Sequence, residues 1–108
     1  MKNIVLLELN EINFDAVSFY IERSECLPGF NKLIEKGIVI TEAEPKYENL
    51  EPWIQWPSVH TGKTFEEHRV FRLGDFVNSS DEQFFEKVES AGFSVGAISP
   101  MNASNKLH

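Results

Sequence analysis

The sequence predicts an α/β fold in which helices flank a parallel β-sheet. Three short apolar runs, at residues 4–9, 38–40 and 93–99, have the β-branched composition of buried strands. Patterns typical of amphipathic helices separate these runs, and such alternation predicts parallel strands joined by right-handed crossovers. A chain of 108 residues can bury one core of this kind, so residues 1–108 are predicted to form a single domain.

The first two helices are predicted from their capping residues. Asn13 can cap a helix that starts directly after the first apolar run, since an Asn side chain accepts a hydrogen bond from a free backbone N–H. Pro28 suits the first turn of the next helix, and Gly37 suits the left-handed position that follows a helix end. The run at residues 38–40 then leads into a polar loop.

Two further helices complete the predicted pattern. Residues 52–61 lie between Pro52 and Gly62, although Pro57 inside this segment predicts a kink or a later start. Ser80 and Gln83 have the spacing of a capping box before the last helix, which the run at residues 93–99 follows.

Composition and charge exclude several classes of protein. Seventeen acidic residues against ten Lys and Arg give a net charge of −7, which disfavours nucleic acid and anionic lipid as partners. The lone Cys26 cannot form an intrachain disulfide, and Glu8 interrupts the first apolar run too early for a signal peptide. The chain is therefore predicted to be cytoplasmic, with no membrane segment.

Polar residues that follow the predicted strands are the candidates for chemistry. Glu8, Asn10 and Glu11 offer the oxygen ligands that Mg²⁺, Ca²⁺ or Mn²⁺ prefer, and His60 or His68 would extend the choice to zinc. The spacing also fits ordinary loop residues and surface histidines, because no local metal-binding pattern such as HExxH is present.

Hydroxyl groups and tryptophans close to the histidines form a second set of candidates. The possible nucleophiles are Ser58, Thr61 and Thr64, but each needs a base or a metal ion placed beside it in space. Trp53 and Trp56 are three residues apart and can share one helix face, either for packing in the core or between subunits or for stacking on a substrate.

Taken in order, these segments resemble the N-terminal part of the alkaline phosphatase superfamily, especially its type I phosphodiesterase/nucleotide pyrophosphatase and sulfatase-like branches. Residues 28–37 resemble its Pro-x-x-x-x-Leu-x-x-x-Gly helix, Thr61-Gly62 the end of its nucleophile helix, and residues 66–70 its Pro-Glu-x-His-Gly segment. The resemblance implies an alkaline phosphatase-like sheet, incomplete relative to the family, and a divalent metal ion (Zn, Mn or Mg). It implies that residues 1–108 are either an N-terminal fragment of a longer hydrolase-like protein or a stand-alone remnant.

The resemblance also implies roles for single residues. Asn10 replaces the metal-binding aspartate, with Glu11 or Glu8 supplying charge, and the nucleophile position falls on Pro52 or on Gln55, depending on the alignment. Neither residue can form a phospho-enzyme or sulfo-enzyme. A phosphoryl or sulfuryl group would then face Gln55, Ser58 and Thr61. The substrate would be bound by His60 and His68.

Two functions from different classes follow. One is a metal-dependent hydrolase of phosphate or sulfate esters, which is predicted to be inactive alone because the nucleophile and the later metal ligands are missing. The other is a small non-enzymatic α/β module that oligomerises or docks on a partner domain, since a sheet with few strands leaves apolar edges exposed. A response-regulator-like or flavodoxin-like domain is disfavoured, because no flavin phosphate loop is present.

Overall fold

The computed structural model describes residues 3–24, 27–42 and 44–108, in which helices alternate with irregular segments. Short 3₁₀ turns at Tyr47–Asn49 and Asp75–Asn78 accompany the α-helices. The α-helices are α1 (Phe14–Ser24), α2 (Pro28–Ile34), α3 (Pro52–Thr61), α4 (Phe65–His68) and α5 (Phe84–Ser90). None of these helices is long and apolar enough to cross a membrane.

The predicted α/β fold with a parallel sheet is wrong for the part of the chain that the structure describes. Residues 4–9, 38–40 and 93–99 lie outside every helix, and no described residue is in a β-strand. Their β-branched side chains favour a pleated conformation, but a strand also needs hydrogen bonds from a neighbouring strand. The composition of these runs is typical of strands, yet the described residues contain no strand that could pair with them.

The predicted helices agree better with the structure than the predicted strands do, because capping depends on residues close in sequence. Asn13 caps α1 by accepting a hydrogen bond from the N–H of Ala16 at 3.0 Å. Pro28 occupies the first turn of α2, and Gly62 ends α3 in the left-handed conformation at φ 71°. The last helix differs from its prediction, since Gln83, not Ser80, caps α5 and forms a capping box with Glu86.

The chain divides into two compact units, of which the first is Met1–Glu42. This unit contains α1 and α2, together with the irregular residues that precede and follow them. Val17 is its one buried residue among the described positions. The described part of the first unit therefore has almost no hydrophobic core of its own.

The second unit, Ala43–His108, has a small core to which α3, α4 and α5 contribute. Its buried apolar side chains are Ile54, Val70, Phe76 and Phe85. Several polar side chains are equally buried, and those in its C-terminal half are Gln83, Glu86, Asn102 and Ser104. All described buried polar side-chain atoms have a hydrogen-bond partner, so this polar core is fully satisfied.

Candidate functional site

Helix α3 carries most of the predicted site residues, and a proline inside it creates a local defect. Pro57 has no N–H, so it cannot donate the helical hydrogen bond to the carbonyl of Trp53 four residues earlier. The side chain of Asn102 fills that position, because its Nδ2 donates to the Trp53 carbonyl at 2.6 Å. The C-terminal segment thus supplies the hydrogen bond that the sequence of α3 leaves out.

Asn102 makes two more hydrogen bonds from the same buried position. Its Nδ2 also donates to the carbonyl of Arg72 at 3.1 Å, and its Oδ1 accepts from the N–H of Gly74 at 2.9 Å. The backbone of Asn102 is left-handed, with φ 52°, a conformation that Asn adopts more readily than most residues. One amide therefore joins α3, the loop at residues 72–74 and the C-terminal segment.

Gln83 is the centre of a second buried cluster of hydrogen bonds. Its Nε2 donates to His60 Nδ1 at 3.1 Å and to the carbonyl of Asn102 at 3.3 Å, and its Oε1 accepts from the N–H of Ser104 at 2.9 Å. The Ser104 hydroxyl in turn donates to the carboxylate of Glu86, which also accepts from the N–H of Gln83. This polar cluster fixes the C-terminal segment against the start of α5.

His60 is buried within this cluster and is surrounded by aromatic rings. The imidazole stacks on Trp56, with ring centroids 5.7 Å apart, and contacts Phe85 edge-on at 5.5 Å. Because the amide of Gln83 can only donate to Nδ1, the neutral ring carries its proton on Nε2. The structure thus places His60 in the core, whereas the prediction that it binds substrate remains a prediction.

Two of the predicted catalytic residues bind the backbone. Gln55 Nε2 donates to the carbonyl of Asn49 at 2.6 Å. Thr61 Oγ1 donates to the carbonyl of Pro57 at 2.6 Å and accepts from the N–H of Lys63 at 3.2 Å. These contacts stabilise the two ends of α3, and the catalytic roles predicted for both residues remain predictions.

Ser58 and His68 are a pair of predicted site residues that the structure brings together, with Oγ and Nε2 3.0 Å apart. His68 Nδ1 accepts a hydrogen bond from the N–H of Val70 at 3.0 Å, so the proton of the neutral ring lies on Nε2. His68 therefore donates to Ser58 and cannot take up its proton through Nε2. In this tautomer the pair lacks the base that activates a serine nucleophile.

The buried position of His68 has a measurable consequence. Burial lowers the pKa of this imidazole below its ordinary value, and the nearby Lys63 lowers it further, whereas Asp81, Glu66 and Glu67 oppose the shift. The stability contributed by neutral His68 is present above about pH 6.5 and is lost as the pH falls, because the unfolded chain takes up the proton first.

We therefore expect the free energy of unfolding to fall less between pH 7.5 and pH 5.5 in His68→Gln than in the wild type. Glutamine keeps a polar side chain at this buried position but does not titrate, and the carboxylates contribute equally to both proteins. Urea unfolding at the two pH values measures the difference. Parallel pH dependences for the two proteins would contradict a lowered His68 pKa.

The predicted metal ligands belong to the first unit, where Glu8 is half-buried and Asn10 and Glu11 are exposed. Glu11 has a left-handed backbone, with φ 57°, in the turn before α1. Among the described residues, no group of three His, Cys, Asp or Glu side chains is arranged to hold a metal ion. The divalent metal ion therefore remains a prediction.

A groove of about 430 Å³ lies beside the start of α3 in the second unit. Trp53 lines it, but none of the residues predicted to bind a metal ion, the substrate or the transferred group does. Its lining is mostly apolar, with two carboxylates and one guanidinium, and consists of Glu48, Glu51, Trp53, Ile54, Phe71, Arg72 and Leu73.

The most unusual surface lies in the first unit, at two segments that we call the open apolar segments, residues 4–7 and 38–40. Ile4 and Val5 are 91% and 90% exposed, and Val39 and Ile40 are 91% and 86% exposed. Neither segment is part of a helix or a strand. Single exposed apolar residues are common in proteins, but consecutive ones mark sites of interaction.

The interpretation of the sequence missed three residues that organise the second unit, Glu86, Asn102 and Ser104, and gave Gln83 only a capping role. One signal was present, because Pro57 inside α3 requires a donor from elsewhere for the carbonyl of Trp53. The sequence does not show which residue provides that donor, since Asn102 lies 49 positions beyond Trp53.

The sequence matches no family model, no curated protein and no solved structure. Together with the absence of strands from the described residues, this result overturns the resemblance to the alkaline phosphatase superfamily. The matching patterns were short and consisted largely of the Pro and Gly residues that begin and end helices, which unrelated proteins share. The hydrolase and metal-binding roles that the resemblance implied lose that support.

Proposed function

We propose that this chain is a small non-enzymatic assembly module that binds another protein chain through its open apolar segments. The single observation that carries the proposal is the exposure of consecutive Ile and Val side chains in both segments. Burying one such side chain favours association by about 1.5–3 kcal/mol, so a partner that covers several of them gains considerable free energy.

The poor core of the first unit supports the same conclusion. Units of about 40 residues usually need disulfides, metals or association to stay folded. This unit spans Met1–Glu42 and buries only Val17 among its described residues. Contact with another chain would provide the apolar burial that the unit lacks.

Another protein is a better partner for the open apolar segments than a lipid membrane. The net charge of −7 opposes binding to anionic lipid, and glutamates follow each segment closely, at Glu8 and Glu42. Segments rich in Ile and Val are instead well suited to pair with an open strand edge of a protein, whose backbone supplies hydrogen bonds and whose side chains cover alternate positions.

Site-specific photo-crosslinking in intact cells tests this proposal. With benzoylphenylalanine in place of Val39, we expect a discrete covalent adduct to a polypeptide, because Val39 lies within the contact. The matched control carries the same group in place of Glu35, which is exposed in the same unit but follows α2. An added Ile40→Lys change should abolish the adduct at position 39. Equal adducts at both positions, or none at position 39, would refute the proposed function.

A further inference from the structure

The two open apolar segments share a sequence pattern that suggests which chain covers them. Residues 2–8 and 36–42 both read Lys-x-Ile-Val-(Leu/Ile)-x-Glu. Each segment thus begins with a positive charge, continues with three branched apolar residues and ends with a negative charge. The segments are therefore complementary to each other in one relative orientation only.

Charge decides this orientation. If the segments pair in parallel with the patterns aligned, lysine lies opposite lysine and glutamate opposite glutamate, which is destabilising. If they pair antiparallel, Lys2 lies opposite Glu42, no like charges face each other and the apolar residues still match. The antiparallel register pairs Ile4 with Ile40, Val5 with Val39 and Leu6 with Ile38. It ends at Gly37, whose left-handed backbone, with φ 104°, cannot continue a strand.

We propose that the partner is a second copy of this chain, an inference that rests on the proposed function. Residues 4–6 of each copy pair antiparallel with residues 38–40 of the other, so that one two-fold axis generates two identical contacts. This reciprocal pairing covers both segments at once and forms a closed dimer. Pairing of each segment with its own equivalent in different copies would instead leave a dimer with one segment uncovered.

The contact is short, and the net charge of −7 on each copy opposes it. The dimer is therefore expected to be weak and to require a salt concentration near physiological, at which the Debye length is about 8 Å and the long-range repulsion is screened. Within one chain the two segments form no strand in the described residues, so both remain accessible to a second copy.

Disulfide trapping between two variants tests the register, with Cys26→Ser in every chain so that no native thiol interferes. A Val5→Cys chain that carries a size tag is mixed with an untagged Val39→Cys chain in a glutathione redox buffer. Residues opposite each other on antiparallel strands have Cα atoms about 4.5–5.5 Å apart, within the range that a disulfide spans. We expect the mixture to form several times more tagged–untagged disulfide dimer than a control mixture of Ile98→Cys with Val39→Cys, since Ile98 is 97% exposed but lies outside the contact.

Each other outcome overturns a defined part of the inference. Equal disulfide dimers in samples of a single variant would overturn the exchanged register. An internal disulfide in a monomeric Val5→Cys/Val39→Cys chain would overturn the second copy as the partner. If the Val5→Cys and Val39→Cys mixture formed no more disulfide dimer than the control mixture, a second copy would also be overturned as the partner. If benzoylphenylalanine at position 39 still gave an adduct to a different protein, the proposed function would stand without this inference.

Discussion

Replacing Asn102 with alanine is expected to lower the free energy of unfolding of the second unit by about 3 kcal/mol, because three buried hydrogen bonds are lost together. The carbonyls of Trp53 and Arg72 lose their donor, and the N–H of Gly74 loses its acceptor. Alanine also fits less well at a φ of 52°. Urea unfolding followed by the fluorescence of the two tryptophans, both in α3, measures the change.

Two controls separate the contributions at this site. Asn105→Ala removes an exposed asparagine three residues later and should change the stability by less than about 0.5 kcal/mol. Asn102→Gly relieves the backbone strain but not the loss of hydrogen bonds, so it should remain strongly destabilised. If the glycine variant were as stable as the wild type, the hydrogen bonds of Asn102 would contribute nothing.

The link between Asn102 and the proline in α3 can be measured with a double-mutant cycle. In Pro57→Ala the new N–H can donate to the carbonyl of Trp53, so Asn102→Ala should cost about 1 kcal/mol less in that background. Additive effects would mean that Asn102 does not compensate for the missing helical hydrogen bond.

Replacing Gln83 with methionine is expected to cost a similar amount, about 3 kcal/mol. Methionine has nearly the same length and fills the buried space, but it removes the donor to His60 Nδ1 and the acceptor for the N–H of Ser104. The capping hydrogen bond from the backbone N–H of residue 83 to Glu86 remains possible, so the change reports the side chain alone.

The neighbouring Glu82 provides the matched control, because it is exposed and Glu82→Met leaves the buried cluster intact. The same urea experiment compares the two variants, and we expect the Glu82 variant to unfold close to the wild-type midpoint. Equal midpoints for both methionine variants would contradict a stabilising role for the Gln83 amide.

The sequence predicts those features of the fold that residues close together in the chain form, and it fails for features that need a distant segment. The start of α1 at Asn13 and the end of α3 at Gly62 were predicted because caps involve neighbours within a few residues. The strands at residues 4–9 and 38–40 were predicted from side-chain preference alone, and the part of the chain that the structure describes contains no strand to pair with them. A strand is a property of a pair of segments, so a composition typical of strands cannot establish one.

At the candidate site, too, the sequence predicts some features and leaves others to the tertiary structure. The sequence places Ser58 ten residues before His68, and the turn between α3 and α4 brings them within 3.0 Å. The direction of that hydrogen bond depends on the N–H of Val70, which fixes the proton of the ring and removes the base that catalysis would need. No pattern of residue types reveals this direction.

The sequence by itself determined the positions of α1, α2 and α3, the acidic charge and the two matching segments at residues 2–8 and 36–42. Only the tertiary structure decided that Asn102 completes α3 at its proline and that the apolar segments lie exposed. The physical reason is that caps and charge patterns depend on residues near in sequence, whereas buried hydrogen bonds and surface exposure depend on which distant segments meet.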